Sequence, residues 1–182
     1  MGEIKSTLDL VMERTRHLSL SDEEKTHQRK EDFRKRLQGL LQRYADGALT
    51  VEDLREKIKA LQAELKVDDP MVAVTAVAGR MEPDRDNRIW LDLLAVFAPA
   101  VCGSLEAALK VYRRQRDDSL WEGVERLRRR LAQDHGISGT AVAPNPHKDP
   151  ECQAQLVRLR QQAKSRLAAI VDEGSQPPQH NE

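Results

Sequence analysis

The stretch 126-RLRRRL-131 crowds four arginines together, and Arg113, Arg114 and Arg116 lie just upstream. Guanidinium groups grip phosphate oxygens in a forked, bidentate way, so the chemistry suggested is contact with a nucleic-acid backbone. Helical spacing removes much of that charge. Glu122 stands four residues before Arg126 and Glu125 four before Arg129, which sets an acid beside each base on one helix face. Leu127 and Leu131 turn inward between the arginines. Holding a phosphate backbone calls for a basic stripe without interleaved acids, and single-strand binding adds exposed aromatics for stacking. The chain has two Trp, two Tyr and two Phe, most at core-like spacings. A solvated face is therefore expected here. Arg113, Arg114, Arg126, Arg129 and Arg130 are the residues through which a weak nucleic-acid contact would run.

Other reactive types are thinly spread. Histidines fall at 17, 27, 135, 147 and 180, with no H-x-x-x-H pair, and nothing beside His147 and Cys152 completes a zinc set. Cys102 sits in apolar company and reads as a small buried hydrophobe. Cys152 falls in the first turn of a helix, where the dipole would lower its pKa and make a reactive thiol conceivable, with packing the expected role. DGALTVEDLREKI lacks the alternating oxygens and terminal glutamate of a calcium loop. No G-x-S-x-G, phosphate loop or nicotinamide fingerprint occurs, and the glycines of GISGTAV neither follow a strand nor open a helix as such a motif requires. The expectation is a non-enzyme without cofactor or metal.

The totals point the same way. Of 182 residues, 30 are Lys or Arg and 30 are Asp or Glu, for a formal charge of zero. The signs also balance locally, in 1–69, 104–135 and 150–173. A protein built for a polyanion carries a lopsided positive excess. Two cysteines in no metal or redox spacing fit a reducing cytosol. The N-terminus has charges throughout and no apolar signal core, and Gly2 before Glu3 is a poor myristoylation start. The one greasy passage, 89-IWLDLLAVFAPAVC-102, is shorter than the roughly 20 residues that cross a bilayer and holds Asp92 inside it. A cytoplasmic protein without membrane contact is expected.

The elements that must position these residues are helices. Unbranched Leu, Ala, Arg, Glu, Gln and Lys dominate and lose little rotamer freedom in a helix. Leu8, Val11 and Leu18 keep helical spacing after Ile4. Ser21 with Glu24 forms a capping box that opens a second helix. Its start, SDEEKTHQRKED, has no apolar face and should project into solvent, helped by Glu31–Lys35 and Asp32–Arg36 pairs. Phe33, Leu37, Leu40, Leu41 and Tyr44 then resume the stripe. Asp46-Gly47 stops it, and Thr50 with Asp53 starts the next helix, carrying Leu54, Ile58, Leu61 and Leu65. A short polar connection between two stripes predicts an antiparallel helical hairpin.

Beyond Asp68-Asp69-Pro70, the run MVAVTAVAG allows helix or strand, and length and capping favour a helix over 70–80. Glu82-Pro83-Asp84 breaks it. The greasy helix follows, with Ile89, Trp90, Leu93, Leu94, Val96 and Phe97 covering more than one face, as in a bundle centre. Burying Trp90, Leu93 and Phe97 would stabilise the fold by about 2 kcal/mol each. Pro99 ends or kinks that helix, and Gly103-Ser104 reads as a stop followed by a new N-cap. Ser119 with Glu122 reads as another capping box, opening a helix with Leu120, Val124, Leu127 and Leu131 at heptad spacing. Gly136 ends it, with His135 in the last turn. A long loop, 136–149, leads to Asp149-Pro150 and a final helix with Leu156, Leu159, Ala163, Leu167 and Ile170 on one side. The resulting expectation is all-α: an N-terminal helix plus hairpin over 1–67, a helical bundle over 68–173, and a disordered tail over 174–182.

The opening MGEIKSTLDLVMERT, followed by LSLSDEEK, resembles the start of an uncharacterised family of small helical bacterial proteins, found in anaerobic, sulfate- or metal-reducing species. The GISGTAVAPN loop shares that likeness. The resemblance covers roughly the first thirty residues, carries no catalytic motif and implies no activity, cofactor or site. The residues themselves suggest an interaction or self-assembly protein. Phe33, Leu37, Leu40, Leu54, Ile58, Leu61 and Leu65 form a coiled-coil-like stripe on a two-helix unit too small to be stable alone, and a protein partner, a second copy first of all, would share the apolar surface left over.

Overall fold

Two of the predicted N-caps, Ser21 and Thr50, open helices in the computed structural model, which describes residues 21–69 and 71–174. Among the described residues there are six α-helices, one 3-10 turn and no strand, so the fold class is all-α. The expected helix after Ile4 lies outside the described residues, as does the tail expected over 174–182 except for Gly174, which the last helix includes. The chain divides into two compact units, Met1–Asp69 and Pro70–Glu182.

In the first unit, α1 spans Asp22–Ala45 and α2 spans Val51–Leu65. Both begin with complete capping boxes. The Ser21 hydroxyl accepts from the Glu24 N–H at 3.1 Å while the Ser21 N–H donates to the Glu24 carboxylate at 2.7 Å. Thr50 and Asp53 repeat the exchange at 3.1 Å each way, and the Thr50 N–H and hydroxyl hold the Asp53 carboxyl below its usual range. Each box satisfies two donors that a helix start otherwise leaves open. Gly47, at φ 74°, turns the chain between the helices. The charged start of α1 is exposed throughout 21–30. Its local pairs differ from expectation: Glu31 takes Arg34 at 2.6 Å, and Arg36 reaches across to Glu64 on α2 at 2.5 Å. Arg36 is long enough to prefer a cross-helix partner over Asp32.

The second unit starts with α3, Met71–Ala78, which resolves the helix-or-strand ambiguity in favour of helix. Val72, Ala73, Val74 and Val77 are buried. The following turn is tied by Asn87, which is 1% exposed. Its amide donates to the carbonyls of Glu82 and Arg85, at 2.8 and 3.0 Å, and its oxygen accepts from the Glu82 N–H at 3.0 Å. Helix α4, Arg88–Phe97, buries Trp90, Leu93 and Leu94. Arg80 lies over the Trp90 ring at 5.9 Å. The expectation of burial nearly all round is corrected here: Val96 is exposed and Phe97 only half-buried, because α4 packs on α3 and α5 along one side.

Ala98, at φ −152° and ψ 73°, leaves the helical conformation and Pro99 opens α5, which runs unbroken from Pro99 to His135, 37 residues and about 55 Å. Both breaks expected within it are absent. Gly103 is helical and exposed, and Ser119 is buried in mid-helix, where its following Glu122 is only a helix neighbour. Gly136, at φ 64°, ends α5. The returning loop is pinned by Arg128, whose Nε donates to the Val142 carbonyl at 3.1 Å, and contains a 3-10 turn at Pro146–Lys148. Helix α6, Pro150–Gly174, then packs back along α5. Leu105 and Leu109 of α5, with Leu167, Ile170 and Val171 of α6, lie in this core, each worth roughly 1.5–3 kcal/mol on burial.

Candidate interaction surface on the α5–α6 pair

Two polar clusters fix how α6 lies on its neighbours. At its start, Asp149 is 1% exposed, and its Oδ2 accepts from Arg126 Nε at 3.1 Å and Nη2 at 2.9 Å and from the Cys152 N–H at 3.2 Å. One carboxylate therefore caps α6 and anchors it to α5. The Arg126 bond, ahead of the Cys152 N–H, holds the Asp149 carboxyl below its ordinary pKa, and the same bond raises Arg126. Close packing completes the joint. Gly123 is buried, and a Cβ there would lie 3.0 Å from both Cβ and Sγ of Cys152 and 3.3 Å from Pro146.

Midway along α6, Arg160 and Lys164 converge on Glu82, at 2.9 and 2.8 Å, and Arg160 also reaches Asp84 at 3.3 Å. The Tyr112 hydroxyl of α5 donates to Asp84. Lys164 and then Arg160 lower the Glu82 carboxyl, while burial and the bond to Asp84 push Tyr112 up to about 12. The turn at 82–84 is thereby strapped to both long helices.

With those joints closed, a groove of mixed lining stays open on the pair, with Ser104, Gln115, Gln162 and Arg166 among its apolar walls. The groove, of about 460 Å³, runs between the helices, its walls including Ala107, Ala108 and Val111 of α5 and Leu159, Ala163 and Ile170 of α6. Val111 is 56% exposed beside it. Farther along α5, Trp121 is 66% exposed, and Val157 of α6 is 69% exposed. Of these three, Val111 lines the groove, while Trp121 and Val157 stand apart from it as single exposed apolar side chains. The sequence pattern missed Trp121 because it falls one position off the Leu120–Val124–Leu127–Leu131 stripe.

The arginine cluster comes apart on inspection of its partners. Arg126 and, at 3.9 Å, Arg130 are drawn to Asp149, and Arg128 pairs with Glu125 at 2.8 Å, taking the acid expected to neutralise Arg129. Glu122 does approach Arg126, at 4.0 Å. Arg113, Arg114 and Arg129 are exposed. The hairpin stripe is placed differently again. Phe33, Leu37, Leu54, Ile58 and Leu61 are buried within a single chain, while Leu40 and Leu65 are half-buried, so little of it is open to a partner.

Cys102 and Cys152 are both free thiols and both buried. Cys152 does lie in the first turn of α6, but burial pushes its thiol up in pKa, against the lowering expected from the helix dipole. Its Sγ contacts the Ser119 carbonyl at 3.5 Å, a packing environment. Among the described residues no group of three or more His, Cys, Asp or Glu could hold a metal ion, and no helix is long and apolar enough to cross a membrane. No protein-family profile, curated protein or solved structure matches the chain.

Proposed function

We propose that this chain is a non-enzymatic, cytoplasmic protein whose work is protein–protein contact or assembly, carried out by the open face of α5 and α6. The observation that carries this reading is the part-apolar groove with Val111 exposed at its edge, on two helices already tied by Asp149 and by the 82–84 turn. A helical pair presenting a channel with apolar walls and a few polar side chains suits a helix laid into a groove. The unpaired thiols fit a reducing compartment. Nucleic-acid binding takes second place, since Arg126 and Arg130 are engaged with Asp149, leaving Arg113, Arg114 and Arg129 without a continuous stripe.

The test is site-specific photo-crosslinking in the native cell. A photoreactive residue at 111 should yield covalent protein adducts, and one at the exposed position 154 of α6 should not. Absence of adducts at 111, and at 107 and 159 beside it, overturns the reading.

A further inference from the structure

We draw no further inference here: the strongest candidate, the groove between α5 and α6 with Val111 exposed at its edge, belongs to the surface already described, and nothing in the structure shows what covers it.

Discussion

Asp149 does more than its place in the sequence announces. Aspartate before proline is a helix-start signal, and that much was legible. What the pattern could not show is that the same carboxylate receives Arg126 from 23 residues away, because i to i+4 rules reach only one turn. Glu122 and Glu125 therefore seemed sufficient partners for the arginines, and the long-range one went unread. The two roles separate by substitution. Asparagine caps a helix about as well as aspartate but cannot neutralise an arginine. Asp149→Asn should lower the melting temperature by a few degrees, roughly what a loss of 1 kcal/mol does in a domain of this size. Asp149→Ala, which loses the cap as well, should fall further. Thermal unfolding followed by circular dichroism at neutral pH checks both, and equal midpoints for the two variants would deny Asp149 its capping role.

At the scale of elements, the starts at Ser21 and Thr50 and the stops at Gly47 and Gly136 were legible, whereas the starts read at Ser104 and Ser119 were not real. Ser21–Glu24 and Thr50–Asp53 are complete local exchanges, visible because every participant lies within four residues. Gly103-Ser104 and Ser119–Glu122 have the same composition yet sit inside α5, since glycine and serine enter a helix at modest cost when packing on both sides holds it. Phe97 and Val96 were misplaced for a related reason: an apolar residue on α4 is buried only where a neighbour lies over it. The two glycines of α5 turn this into a measurement. Gly103 has open space around a prospective Cβ, so Gly103→Ala should stabilise the fold by roughly 0.5–1 kcal/mol through helix propensity. Gly123 has Cys152 and Pro146 at 3.0–3.3 Å, and both neighbours are held by α6 and the 3-10 turn. There the same change should cost about 1–3 kcal/mol from overpacking, outweighing the propensity gain. Denaturant titration of the two variants gives opposite signs if α5 is continuous; a loss at Gly103 would restore the break.

For the molecule as a whole, the all-α class follows from periodicity alone, whereas the open face of α5 and α6 depends on which stripes find cover inside the chain. The hairpin stripe, seemingly the better candidate for a partner, is largely buried, and the less regular surface carrying Val111 and Trp121 is left in water. The joints that leave that face open also set the pH range of the second unit. Glu82 and Asp149 have folded-state pKa values lowered by Lys164, Arg160 and Arg126. Their contribution is therefore present above the ordinary carboxylate range of about 4 and is lost as pH falls through the lower folded values. Tyr112, faced by Asp84, Arg116 and Arg160, is shifted the other way, from 10 to about 12. It favours the folded state below pH 10, by at most roughly 2–3 kcal/mol, and that share disappears as pH rises from 10 to 12. Stability against pH should accordingly plateau across neutrality and decline on both sides. Tyr112→Phe should lower the plateau, by leaving Asp84 without its donor, while flattening the alkaline decline. Glu82→Gln should lower it and soften the acid decline. Thermal midpoints measured from pH 3 to 11 for the three proteins decide the matter: an alkaline slope unchanged in Tyr112→Phe would mean that the strap between Tyr112 and the 82–84 turn does not hold the helices together.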